Sequence, residues 1–257
     1  MTEVIDAKVE FRNFFILLAQ NRWFNKIVNQ KELEKIISTC RKNDDDTWEY
    51  SLTKLEFKNI NIERHTRPLK VNKLANAGEG IAKVLLSVSC HCNSGHNEEK
   101  IEDPIKSLAT KFIVQFEYIE DGKPDELKII QSSWHLDKHS PEKPPDSSHP
   151  LYHYEFGGTE ITKDIDFNFG DFFLIDTPRI MHPPLDIVLA IDFIIKNYYK
   201  KEDHISLTGQ ELYKRYVKNA QFRIWKPYAI SFASNFYEFG EATIIDRIYS
   251  QNILHCE

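Results

Sequence analysis

The chain has 257 residues, 41% hydrophobic and 28% charged, with a formal net charge of −6. That length can bury a substantial core, and the balance excludes an intrinsically disordered polymer. The acidic excess, with a sequence pI near 6.0, excludes a global positive field for nucleic acid, so any such site has to be local.

The N-terminus "MTEVIDAKVEFRN" is acidic and carries no apolar run, which excludes a signal peptide there. The longest apolar run, "IVLAIDFII" at 187–195, is interrupted by Asp192. It falls far short of the roughly 20 residues that a membrane span needs. Cys40, Cys90, Cys92 and Cys256 form no evident disulfide framework. Cys90 and Cys92 alternate along a strand-like run, where side chains run parallel and bridge poorly. A reducing cytoplasm is the expected location.

In chain order, residues 8–40 read as helical. Phe11, Phe14, Phe15, Leu18, Trp23, Ile27, Leu33 and Ile36 recur mostly at spacings of three and four, without Gly or Pro. Asn29 suits the cap of a second helix. "RKNDDD" (41–46) is a polar break, and 48–74 is strand-like but irregular, ending in a basic stretch. From 83 the period becomes two. Runs at 83–92, 111–120, 126–139 and 151–156 read as strands, and 165–176 as a hairpin turning at Gly170-Asp171.

After "TPRIMHPP" the chain returns to helix. Pro183 and Pro184 suit its first turn, and Asp186 suits the positive end of its dipole. Leu185–Tyr199 is apolar on almost every face, which predicts a central helix. A third helical stretch covers about 208–237, with Pro227 expected to break it. The expected class is α+β in one domain spanning 1–257, with N-terminal helices (about 1–45), a mainly antiparallel sheet (about 48–176) and C-terminal helices (about 183–240).

The chemistry concentrates in "SSWHLDKH" (132–139) and "HPLYHYEFGG" (149–158), which hold four of the ten histidines. A two-residue period puts Ser133, His135, Asp137 and His139 on one face, and Trp134, Leu136 and Lys138 on the other. In the next strand His149, Leu151, His153 and Glu155 share a face. Symmetric pairing about the intervening loop puts His135 opposite His153 and His139 opposite His149, with opposed Cβ atoms about 4.5–5.5 Å apart. Imidazoles with a carboxylate are a usual ligand set for zinc or manganese, and equally a general acid/base set. The alternative is that these histidines are independent ring packers and surface residues.

His182 precedes the predicted helix, with Arg179 three residues upstream. Beside a helix N-terminus the pair forms a candidate anion anchor, expected to lie near the strand cluster. Asp192 needs a partner in its apolar helix, and Arg179 or a cluster histidine is one candidate. The candidate catalytic set is therefore His135, Asp137, His139, His153, His182 and Arg179, and the candidate metal set His135, Asp137, His139, His149 and His153.

The blocks Trp134–His139, His149–Gly158 and Pro178–Pro184 resemble a W-H-x-D-x-H, H-P-x-x-H-x-x-x-G-G, P-R-x-x-H-P-P pattern of bacterial proteins to which no activity is attached. The resemblance covers about fifty residues and implies a shared site without naming a reaction. The order of helix, meander, H-P turn and C-terminal helices is also loosely similar to ubiquitin-conjugating-like folds. No cysteine lies between 93 and 255, so that resemblance implies an inactive, partner-binding relative.

Two further segments complete the reading. Cys90, Cys92 and His96 have C-x-C-x₃-H spacing, which is short of the four ligands of a structural zinc site. The segment 213–228 interleaves Lys214, Arg215, Lys218, Arg223 and Lys226 with Tyr213, Tyr216, Trp225 and Tyr228; it reads as an amphipathic helix first and a base-stacking surface second. The leading functional expectation is a metal- or histidine-dependent hydrolase of a phosphodiester or nucleotide-like substrate. It would be nuclease-like, in a bacterial defence or toxin-like setting, with a divalent metal such as zinc or manganese. The alternative is a non-catalytic protein-binding module in which any metal is purely structural.

Overall fold

Residues 7–42, 47–60, 81–93, 103–119, 127–138, 151–157 and 180–234 are described by the structure, a computed structural model. Three helices open the chain, α1 (Ala7–Gln20), α2 (Phe24–Ile27) and α3 (Gln30–Thr39). Phe11, Phe14, Phe15 and Leu18 of α1 are buried together with Leu33 and Ile36 of α3, the stripe that the three-four spacing predicts. Asn29 caps α3, its side chain accepting from the Lys31 amide at 3.0 Å.

The sheet is antiparallel throughout its described strands and runs in chain order: β1 (Arg41–Lys42), β2 (Thr47–Ile60), β3 (Ile81–Asn93), β4 (Ile105–Ile119), β5 (Leu127–Lys138), β6 (Tyr152–Phe156) and β7 (Ile180–Met181). With the helices before and after it, this is an α+β arrangement. The irregular alternation of β2 has a local cause. Register shifts fall between Leu52 and Leu55 and between Phe57 and Ile60, and Lys54 and Asn59 adopt positive φ there. Each bulge adds one residue and resets which parity faces the core, so Leu52, Leu55, Phe57 and Ile60 are all buried despite their uneven spacing. β4 begins six residues before the run that suggested it. The expected hairpin at Gly170-Asp171 lies outside the described residues.

Even-numbered side chains of β3 to β6 meet the helices. Val84, Leu86, Val88, Cys90, Cys92, Leu108, Phe112, Leu136 and Tyr152 belong to one buried cluster with α1, α4 and α6. The C-terminal helices are α4 (Ile187–Tyr198), α5 (Lys201–Thr208) and α6 (Glu211–Ser234). α4 is buried on nearly every side, as its composition predicts.

Its start differs from the expectation. Pro183 and Pro184 lie before the helix, and Asp186 is the N-cap, accepting from the Leu189 amide at 2.9 Å. Three side chains tie that approach down: Trp225 donates to the Pro184 carbonyl, Thr110 to the Leu185 carbonyl, and Tyr50 accepts from the Ile187 amide. Nor does Pro227 break α6, which runs through it. Helix α5 has no counterpart among the elements expected from the sequence.

Candidate metal centre

His135 and Asp137 belong to β5, and His153 and Glu155 to β6. The Cα register pairs His135 with Glu155 and Asp137 with His153. Sequence symmetry predicted His135 opposite His153, which is a slip of two residues. An even slip keeps every side chain on its face, so the patch survives the correction with its partners exchanged. The loop between the strands sets the pairing, and its length alone does not reveal how it divides between them.

One ligand atom each from His135, Asp137 and His153 lies within 4.8 Å of the others. This group could hold a metal ion. A tetrahedral zinc keeps ligand atoms roughly 3.3 Å apart, from bond lengths near 2.05 Å, so closing the triangle takes side-chain shifts of about an ångström. The two imidazoles are nearly perpendicular, ring centroids 6.0 Å apart. His135 Nε2 lies 3.6 Å from an Asp137 carboxylate oxygen and 3.5 Å from one of Glu155.

Burial raises the Asp137 pKa above the ordinary carboxylate value. The charges of His135 and Lys111 oppose that shift and Glu155 adds to it. Lys111, the β4 partner of His135, is thus a second cation beside Asp137. Alternation along β4 could have found it, because odd positions of that strand share the cluster's face. Glu155 was on the predicted face but had no role assigned. A sixth residue, Ser133, is completely buried on this face, and its hydroxyl makes no hydrogen bond among the described residues. Leaving such a group unsatisfied costs about 1–3 kcal/mol.

The remaining expectations divide. His139, His149 and Arg179 lie outside the described residues, as does His96. His182 does not join the cluster. Its ring packs 5.4 Å from that of Tyr154, on the helix-bearing side of the sheet. There its Nδ1 donates to the Pro183 carbonyl at 2.6 Å, and burial lowers its pKa. The reason is parity: Met181 pairs with His153, so the next residue projects to the other side.

For Asp192 the described partners are on the C-terminal helices. It accepts from Lys196 at 2.8 Å, one helical turn away, and from Tyr213 at 3.0 Å. Cys90 and Cys92 are core residues with sulfurs 3.1 Å apart. In α6, Tyr213, Tyr216 and Tyr228 are buried and Arg223 bridges Glu10 and Asp186 at 3.2 Å to each. That helix therefore packs on the side away from the cluster, with those three tyrosine rings in the core and Phe222 exposed.

No helix among the described residues is long and apolar enough to cross a membrane. No protein-family model, curated protein or solved structure matches the chain.

Proposed function

We propose that the protein is a divalent-metal-dependent hydrolase of a phosphodiester or nucleotide-like substrate. The observation that carries this reading is the convergence of His135, Asp137 and His153 on the polar face of the sheet, within 4.8 Å. Three protein ligands among the described residues, rather than four, are the number that a catalytic site carries when it keeps a position for water or substrate. A bound zinc or manganese ion would supply Lewis acidity and ease the deprotonation of water near neutral pH.

The protein's own groups fit the rest of the task. Glu155, almost fully buried beside His135, is placed to accept a proton from the attacking water. Lys111 brings a positive charge to the patch, suited to an anionic phosphodiester. A metal acting only as a staple would more naturally sit where packing is weakest. Here the core on the opposite face is already continuous, so the group is free to serve chemistry.

Elemental analysis of the purified protein tests the metal, with about one zinc or manganese per chain expected. Hydrolysis of bis(4-nitrophenyl) phosphate should follow metal loading, stop with chelator and be absent from the His135→Ala/His153→Ala double variant. Full activity in that variant, or hydrolysis indifferent to chelator, would sink the proposal.

A further inference from the structure

The polar face extends well beyond the metal ligands. The register runs unbroken across five strands from His153 to Asp137, Ala109, Ser89 and Ser51. Strands lie about 4.8 Å apart, so Ser89 is about 10 Å from Asp137 and Ser51 about 14 Å. Ala109, Ser89 and Ser51 are all exposed. Strand positions with an open face usually carry β-branched or long side chains, which would rise from the sheet. Here the small residues leave a track leading away from the candidate metal.

That track ends in a cleft of about 530 Å³, whose lining includes Ser38, Glu49, Ser51, Ser89, His91 and Ser107. Glu49, His91 and Ser107 form the next cross-strand row. His91 Nε2 is buried and makes no hydrogen bond among the described residues. The described lining carries no lysine or arginine and one acid. It offers serine hydroxyls, which both donate and accept, and a carboxylate, which accepts from two neighbouring hydroxyls. Those are the groups that recognise a neutral, hydroxyl-rich ring.

We infer that this cleft binds the 3′-terminal ribose of an oligoribonucleotide whose scissile phosphodiester, one nucleotide further along the strand, lies over His135, Asp137 and His153. The inference rests on the hydrolase reading for the phosphodiester, and on the cleft alone for the sugar. Lys111 faces the anionic end of such a ligand and Glu49 the diol, so the charges along the face match its polarity. The ribose 2′-hydroxyl is the group that separates RNA from DNA at a protein surface. Glu49 therefore selects ribonucleotides.

The manganese-loaded full chain would be assayed on uridylyl-(3′→5′)-uridylyl-(3′→5′)-uridine, on its deoxy analogue and on bis(4-nitrophenyl) phosphate, which has no sugar. Ser89→Leu fills the track at an exposed position, and Glu49→Gln removes the diol acceptor. Both variants should lose about tenfold in kcat/KM on the ribotrinucleotide, mainly through KM, as expected for one or two lost hydrogen bonds. Turnover of bis(4-nitrophenyl) phosphate should stay within about twofold of wild type. Equal losses on both substrates, or none on the trinucleotide, would overturn the inference.

Calorimetric titration with uridine separates the two readings, because uridine has no phosphodiester. Binding that Ser89→Leu abolishes, His135→Ala leaves intact and 2′-deoxyuridine does not reproduce supports the cleft even if no hydrolysis is found. No uridine binding, or equal binding of both nucleosides, refutes it.

Discussion

Along β5 alternate residues live in different surroundings. Trp134 and Leu136 turn toward the helices, Leu136 completely buried, while Ser133, His135 and Asp137 turn to a face of hydroxyls, imidazoles and charges. On the helix-bearing side several buried polar groups are paired, although Trp48 Nε1 makes no hydrogen bond among the described residues. Asp103 takes hydrogen bonds from Lys138 and Tyr152, and Arg223 joins Glu10 to the Asp186 cap. On the other side Ser133 is buried without a hydrogen bond among the described residues, and carboxylates crowd one another around His135.

The comparison breaks most readily on the helix-bearing side. Phe112 is 1% exposed and packs against Phe193 with ring centroids 5.4 Å apart. Phe112→Ala should cost about 3–5 kcal/mol in urea unfolding through cavity formation. Arg223→Ala should cost a similar amount, about 3–5 kcal/mol, by leaving Glu10 and Asp186 as uncompensated buried charges. A loss near zero for either would mean that the core does not depend on these contacts.

Metal gives the next largest effect and sharpens the contrast. Loading at about a hundred times its Kd should stabilise the wild-type protein by about 2.7 kcal/mol. The His135→Ala/His153→Ala double variant should show no such gain, yet lie within about 1 kcal/mol of the metal-free wild type. Calorimetric melting with and without manganese reads both. A double variant that fails to fold would place the histidines in the stabilising machinery instead.

Smaller still is a pH effect at His182. Burial lowers its pKa in the folded protein, whereas the unfolded chain titrates near 6.5. Its contribution is therefore fully present above about pH 6.5 and is lost as the pH falls through the lowered folded value. His182→Gln should flatten the acid limb of the stability profile and leave metal binding untouched. An unchanged acid limb would remove this role.

The smallest effect belongs to Ser133→Ala. Deleting an unsatisfied buried hydroxyl should be neutral or stabilising, by up to about 1 kcal/mol. A loss above that in chemical denaturation would show that the hydroxyl has a partner.

Short-range patterns made much of this readable from the chain. The period of two in β3 and β5 assigned Ser133, His135 and Asp137 to one face and Leu136 to the other. The three-four spacing of Phe11, Phe14, Phe15 and Leu18 revealed a helix and its buried side, and Asn29 and Asp186 marked helix starts. These depend on neighbours within a turn or a pleat, which composition and spacing encode directly. What the tertiary structure decided were the contacts between distant segments. The loop between β5 and β6 set which histidine meets which carboxylate. The pairing of Met181 with His153 turned His182 away from the cluster, and packing against α6 gave Asp192 to Tyr213. Lys111 and the cleft beyond Ser89 arise only when strands far apart in sequence lie side by side, because a cross-strand register depends on two segments at once and no single stretch of residues contains it.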